Sequence, residues 1–222
     1  TAAHSHGIKV ILDLVLNHTS ALHPWFQRAR WAKKGSWERD VYVWRESPDE
    51  YQEAPVLFRN FESSNWEWDE VAGQYYLHRF LRHQPDLNYE SLWVQEQMLD
   101  VVDFWLERGV DGFRLDAVPF LYEAKGTRCE GLPETHAFLR RVRERVDRSG
   151  KDVLLLAEAI QPVDEAAPYL ADDELHGAFN FALTAHLFAA LASGNSKNLR
   201  QCLDESQKAV PGCRWALPLR NH

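Results

Sequence analysis

Two carboxylates occupy positions in the sequence that suit chemistry at a glycosidic bond. Asp116 and Glu158 each follow a short apolar segment, GFRL and LLLA. In such chemistry one carboxylate attacks the anomeric carbon and the other donates a proton to the leaving oxygen. Asp116 fits the nucleophile, because Arg114, two residues earlier, would point the same way in a strand and keep the carboxylate ionised. Glu158 fits the general acid/base, because its apolar predecessors would raise its pKa toward the working range.

The same residues also allow a structural interpretation. Arg114 and Asp116 taken alone could form a structural ion pair, and a single acid after a strand can simply cap the next helix. Capping explains poorly why polar groups follow several buried segments of the chain. These groups are Asp13, Asn17 and His18, then Arg114 and Asp116, then Glu158, and finally Arg220, Asn221 and His222.

The elements that must position these groups alternate between strand and helix. Apolar segments at 8–16, 111–118 and 153–157 predict buried strands. Apolar residues at helical spacing predict helices over 91–108 and 134–149. Smaller elements follow, namely a helix at 164–170, a strand at 176–181, helices at 183–191 and 199–208, and a strand at 215–219. Such alternation indicates an α/β fold with parallel strands, and in parallel barrels the active site lies at the carboxyl ends of the strands.

One long segment, 19–89, breaks this alternation. It lacks a clean helical period and is crowded with Trp, Tyr and charged residues, so we expect a long excursion with short strands of its own. A loop this long inside a compact domain is usually functional. Its aromatic side chains could stack on sugar rings or form the core of a small domain. We favour the core for most of them and assign none as a ligand.

Composition excludes several classes of protein. The 222 residues allow one large domain or two small ones. No apolar run approaches the roughly 20 residues of a membrane helix, and the net charge of −8 argues against a nucleic-acid partner. Three cysteines without tight spacing favour reduced thiols and a cytoplasmic location. No Gly-rich phosphate loop is present, so we expect no organic cofactor.

Five segments, in order, resemble the signature regions of the α-amylase family of glycoside hydrolases. They are DLVLNH (13–18), QPDLN (84–88), GFRLDAV (112–118), the strand end at Glu158, and LRNH (219–222). The QPDLN form is similar to the α-glucosidase and isomerase branch of that family. Within this branch, the segments 63–91, 116–138 and 176–183 resemble those of trehalose synthases (maltose α-D-glucosyltransferases).

This resemblance implies a partial TIM (β/α)8 barrel, about strands 3 to 7, with a small inserted domain after strand 3. The implied divisions are 1–18 for the end of helix 2 and strand 3, 19–89 for the inserted domain, and 90–222 for strands 4 to 7. Strands 1, 2 and 8 would lie outside the chain. The family has an Asp directly after the His of its last region, so we expect a third catalytic Asp after His222. We therefore expect a piece of a larger enzyme that is inactive and poorly soluble by itself.

The resemblance also implies a reaction and a substrate. The implied activity is retaining glucosyl transfer that interconverts maltose and trehalose, with Asp116 as nucleophile and Glu158 as acid/base. His18, Arg114 and His222 would contact the glucosyl unit, and retention predicts carboxyl groups about 5–5.5 Å apart. Two alternatives stay open: an α-glucosidase that hydrolyses maltose or short α-glucosides, and a non-catalytic sugar-binding member or partner subunit. The partner is a small disaccharide, with no membrane partner and a possible homo-oligomer in the complete enzyme.

A calcium site is the cofactor that the resemblance implies. Its ligands would be Asn17, Asp86, the backbone carbonyls of Phe120 and Leu121, and Glu123. Ligands that are all oxygen suit a hard cation such as Ca²⁺. From the sequence alone, Asn17 and Asp86 could equally be turn residues. Asn17-His18-Thr19 is formally a glycosylation sequon, but its predicted place at a barrel mouth gives it little weight.

Overall fold

The computed structural model describes residues 2–171, 173–210 and 214–218. The chain divides into two compact units. The parallel-sheet unit comprises Thr1–Leu14, Val102–Asp116 and His136–His222, and the antiparallel-sheet unit comprises Val15–Val101 and Ala117–Thr135.

Strands and helices alternate along most of the described chain. The strands are β1 (Ile11–Val15), β2 (Trp44–Arg45), β3 (Trp66–Asp69), β4 (Gln74–Leu77), β5 (Gly112–Asp116), β6 (Leu154–Ala157), β7 (Gly177–Phe179) and β8 (Arg214–Ala216). The α-helices are α1 (Ala2–Ser5), α2 (Pro24–Trp31), α3 (Leu92–Glu107), α4 (Pro133–Arg148), α5 (Val163–Ala166), α6 (Phe181–Ser193) and α7 (Lys197–Ala209). Short 3-10 turns occur at Arg39–Val41, Val118–Phe120 and Ala167–Leu170.

The parallel-sheet unit contains a five-stranded sheet in the order β1-β5-β6-β7-β8. Strands β5 to β8 pair in parallel, with Arg114 beside Leu156 and Leu156 beside Gly177. From β5 onward, neighbours in the sheet are also consecutive strands in the chain, and each connection contains helix. The predicted α/β fold with a parallel sheet is confirmed.

The two faces of this sheet carry different side chains. In β5, Phe113 and Leu115 are fully buried, whereas Arg114 and Asp116 between and after them are only partly buried. Successive side chains of a strand point to opposite faces, so the two polar groups of β5 share one face. The alternation of buried and partly buried residues in β5 therefore places Arg114 and Asp116 on the same face of the sheet.

The long helices match their predicted ranges within two residues. Helices α3 and α4 occupy Leu92–Glu107 and Pro133–Arg148, against predictions of 91–108 and 134–149. The predicted helix at 164–170 is instead divided into α5 and a 3-10 turn. Pro168 explains the division, because it has no amide hydrogen to continue the α-helical hydrogen bonding.

The antiparallel-sheet unit has a three-stranded sheet in the order β2-β4-β3. Several aromatic residues of the segment 19–89 are buried in it, including Tyr42, Trp44, Trp66 and Tyr76. The ring of Phe26 lies 5.0–5.5 Å from those of Tyr42, Trp44 and Tyr76. These aromatic side chains form core, as we favoured from the sequence, and short strands are present as expected.

Helix α2 also lies in this segment, for which the sequence predicted only short strands. Pro24 occupies its first turn, and His23 caps it by accepting a hydrogen bond from the Trp25 amide. Only Phe26 and Ala29 of this helix are buried. Two buried positions are too few to give the sequence a visible helical period.

No helix in the described part of the chain has the length and hydropathy of a membrane span.

Candidate active site

The end of β5 brings the predicted catalytic pair together in the parallel-sheet unit. Arg114 Nη1 lies 3.0 Å from Asp116 Oδ1, and Arg114 Nη2 lies 2.5 Å from Glu158 Oε2. The Glu158 amide donates to the Leu115 carbonyl at 2.9 Å, which fixes Glu158 directly after β6 and beside the end of β5. Arg114 Nη1 also forms an ion pair with Asp13 of β1. One guanidinium thus contacts three carboxylates.

The electrostatic surroundings of Glu158 suit a proton donor. Burial raises the pKa of Glu158, and hydrogen-bond contact with Asp116 raises it further, while the charge of Arg114 works in the opposite direction. A raised pKa keeps a larger fraction of the carboxyl group protonated near neutral pH, as a general acid requires. Burial acts to lower the pKa of Arg114, but the hydrogen bond to Asp13 and the charges of the three carboxylates raise it overall. The guanidinium therefore stays charged.

The chain turns sharply directly after Asp116. Ala117 has a φ of 53°, in the left-handed region that residues with a Cβ rarely adopt. Such a conformation costs on the order of 1–2 kcal/mol for an L-residue and persists where surrounding structure imposes it. The strained residue ends β5 and leaves Asp116 as its last side chain.

His18, a predicted substrate contact, lies in the antiparallel-sheet unit. Its Nε2 is 2.9 Å from Gln84 Nε2, and its ring centroid is 5.2 Å from that of Phe80. The other ring nitrogen, Nδ1, lies 3.5 Å from the Asn17 amide nitrogen, so a side-chain amide faces each ring nitrogen of His18. Neither Gln84 nor Phe80 was predicted as a site residue, although Gln84 belongs to the QPDLN segment. His222, the other predicted histidine contact, lies outside the described residues.

The predicted metal ligands all belong to the antiparallel-sheet unit. Asp86 is buried, and it accepts hydrogen bonds from Asn17 Nδ2 and from the Arg79 amide, both at 3.0 Å. Glu123 is partly buried, and its Oε1 has neither solvent contact nor a hydrogen-bond partner. Burial raises the pKa of both carboxyl groups well above the usual range, and the charge of Asp86 adds to the effect on Glu123.

These observations fit a hard cation. A buried carboxylate oxygen without a partner is costly, and a cation would compensate it. Only two of the five predicted ligands are carboxylates, and no group of three or more His, Cys, Asp or Glu suited to a metal occurs among the described residues. Arg79, which the sequence did not single out, is buried beside this set and donates to the carbonyls of Arg128 and Cys129.

Comparison with known proteins gives the chain a family. All of residues 1–222 match the family model described as alpha amylase, catalytic domain. The chain is 46% identical over 226 residues to the trehalose synthase/amylase TreS of Mycobacterium tuberculosis, covering 100% of this chain and 37% of that protein. It is 48% identical over 222 residues to a trehalose synthase of Thermus thermophilus, covering 99% of this chain and 23% of that protein.

A solved structure shows the same similarity in three dimensions. The α-glucosyl transfer enzyme XgtA superimposes with a TM-score of 0.83 at 30% identity, over 99% of this chain and 45% of that one. The chain spans less than half the length of each of these three relatives. The family match confirms the resemblance carried by the five signature segments. The chain belongs to the α-amylase family.

Proposed function

We propose that the complete protein carrying this chain transfers a glucosyl unit with retention and interconverts maltose and trehalose. The observation that carries the proposal is the arrangement of Asp116 and Glu158 around Arg114, with a raised pKa for Glu158. The identity of 46–48% to proteins named trehalose synthase supports the choice of substrate. A non-catalytic role is disfavoured, because such proteins lose the nucleophile or the acid.

The reaction follows from the roles of the two carboxyl groups. Asp116 attacks C1 of the glucosyl unit while Glu158 donates its proton to the bridging oxygen, so the C1–O bond of the disaccharide breaks and an ester to Asp116 forms. The released glucose stays in the pocket, turns, and attacks C1 through its anomeric hydroxyl. Glu158 takes that proton, and the ester bond breaks. Both carboxyl groups contact the guanidinium of Arg114, which agrees with the short separation of retaining enzymes, since inverting enzymes hold theirs about 6.5–9.5 Å apart.

The effects of Asp116 and Arg114 on the pKa of Glu158 also explain how Glu158 changes from acid to base. The charge and hydrogen bond of Asp116 raise the pKa of Glu158 in the free enzyme. Once Asp116 is an ester it carries no negative charge, and the opposing charge of Arg114 then lowers the pKa of Glu158. Glu158 therefore holds its proton before the first step and releases it more easily after that step, as the second step requires.

We propose the domain arrangement that the family relationship suggests. Residues 1–18 and 90–222 contribute about strands 3 to 7 of a TIM barrel, and residues 19–89 form the inserted domain. His18, Arg114 and His222 contact the glucosyl unit, and Gln84 orients His18 through the contact between their side chains. Exclusion of water from the closed pocket separates transfer from hydrolysis.

We propose that Ca²⁺ is the metal of this protein. Asn17, Asp86, Glu123 and the carbonyl oxygens of Phe120 and Leu121 would hold it. The ion would compensate the buried carboxylates and tie their segments together. The unpartnered Oε1 of Glu123 supports this set.

A reducing compartment, the cytoplasm, is the proposed location. Cys129 and Cys202 are buried free thiols, as expected where disulfides do not form. A homo-oligomer of the complete enzyme is also proposed.

The deciding experiment is incubation of the complete protein with maltose, with trehalose and glucose measured separately. Trehalose as the main product, lost in Asp116→Asn, would support the proposal. Glucose as the main product would identify an α-glucosidase with the same catalytic residues. A protein that binds maltose and forms neither product would be a non-catalytic member.

A further inference from the structure

Asp13 is a charged residue of β1 that the proposed reaction leaves without a role. It lies on the partly exposed face of its strand with Ile11 and Val15, since the burial of β1 alternates along the chain. Its Oδ1 forms an ion pair with Arg114 Nη1. That same Nη1 is 3.0 Å from Asp116 Oδ1, so Asp13 and Asp116 share one nitrogen of the guanidinium.

The shared contact determines which nitrogen of the guanidinium each catalytic carboxylate binds. Nη2 is left to Glu158 at 2.5 Å, while Nη1 is pulled toward both Asp13 and Asp116. An arginine fork is planar and rigid, so a partner on one nitrogen orients the other nitrogen as well. Among the residues that the structure describes, the charged groups that face Arg114 are Asp13, Asp116 and Glu158.

We propose that Asp13 is a positioning residue for the glucosyl transfer. Its contact with Nη1 holds the Arg114 guanidinium in place, so that Asp116 and Glu158 each keep one contact with it and neither draws it closer. This inference rests on the proposed function for its role in catalysis. Asp13 touches neither the other two carboxylates nor, on this assignment, the sugar. It acts through Arg114 alone.

The consequence of losing Asp13 has a definite sign. Without its negative charge, the guanidinium moves toward Asp116 and Glu158, and its opposing effect on the pKa of Glu158 grows. Glu158 then loses its proton at lower pH, and Asp116 becomes a weaker nucleophile. If the Asp13–Arg114 ion pair had a purely structural role, its loss would lower the stability of the protein but would not change the pKa of Glu158.

The test compares Asp13→Asn with Asp13→Glu and Asp111→Asn in the complete protein. Asp111 is a matched control, because it is also an ion-paired carboxylate of this unit, contacting His4 and Lys9 at the opposite end of β5. For Asp13→Asn we expect kcat to fall about 10- to 100-fold with little change in KM, because a misplaced group far from the bond still disturbs alignment. We also expect the alkaline limb of the pH profile to move to lower pH. Asp13→Glu should restore that limb.

A second measurement separates this inference from the proposed function. The protein is labelled with [5-¹³C]glutamate, the Glu158 resonance is assigned with Glu158→Gln, and its titration is followed by NMR. A lower pKa of Glu158 in Asp13→Asn, but not in Asp111→Asn, supports the inference whatever reaction the protein performs. An unchanged titration, or activity in Asp13→Asn equal to that of Asp111→Asn, overturns it. A wild-type protein inactive on maltose refutes the proposed function and leaves the titration decisive for Asp13.

Discussion

Replacing Glu123 by Gln should change the stability of the protein in opposite directions with and without calcium. The carboxylate oxygen Oε1 of Glu123 is buried without a hydrogen-bond partner, and burial with the nearby charge of Asp86 raises the pKa of the group. Gln has the same shape and no charge. Without a cation, the substitution removes an unfavourable buried charge and should raise the free energy of unfolding by about 1 kcal/mol.

With calcium, the effect reverses. A ligand present at 100 times its dissociation constant stabilises the folded state by about 2.7 kcal/mol. A neutral Gln binds calcium more weakly than a carboxylate, so Glu123→Gln should lose most of that stabilisation. The assay is urea unfolding of both proteins in excess EDTA and in millimolar calcium.

Glu62 provides a matched control in the same unit. It is a buried carboxylate whose oxygens accept from the Arg82 amide at 2.9 Å and from Arg82 Nη2 at 3.0 Å. Glu62→Gln should therefore destabilise the protein equally in both conditions. If wild-type stability does not respond to calcium, or if Glu123→Gln behaves like Glu62→Gln, the assignment of Glu123 as a ligand is wrong.

Four further outcomes are expected. Glu158→Gln should lower maltose turnover about 10²- to 10⁴-fold, and lower it much less for an aryl glucoside whose leaving group needs no proton. Because the pKa of Glu158 is raised and its acid form is the active one, kcat/KM should fall with rising pH only above the ordinary glutamate range; a fall that begins near pH 4 would contradict the assignment. Gln84→Ala removes the hydrogen bond to His18 and should lower kcat/KM roughly 5- to 10-fold, which corresponds to about 1 kcal/mol. Phe138→Ala should lower the free energy of unfolding by about 3–5 kcal/mol in denaturant titrations, because that ring is fully buried.

The parts of the fold that the sequence predicts are those with a strong period. Helices α3 and α4 each run for 16 residues, long enough for several buried positions on one face. Helix α2 has eight residues and was missed, since its cap at His23 and its two buried residues leave no period to detect. Periodicity thus detects elements through the number of residues they bury, and short elements held by caps escape it.

In the candidate site, too, some contacts could be predicted from a local sequence pattern and others could not. Arg114 and Asp116 could be predicted to meet, because two residues in one strand share a face whatever the rest of the fold does. Gln84 meets His18 only through the fold of the chain between them. No local pattern encodes such a contact. Asp13 is an intermediate case: its place in a buried strand could be predicted, but its position is the middle of β1 and its partner Arg114 was not predicted.

The order of burial decides which carboxyl group carries the proton. Three carboxylates face one guanidinium, so full ionisation would leave two negative charges unbalanced in a partly buried cluster. Of the two proposed catalytic groups, Glu158 is the more buried, with 10% of its side chain exposed against 18% for Asp116. Burial disfavours the charged form, so the least exposed group takes up a proton first. Asp and Glu have nearly the same intrinsic pKa. The assignment of Glu158 as the acid therefore follows from how deeply the fold sets it, because burial is the largest cause that raises its pKa.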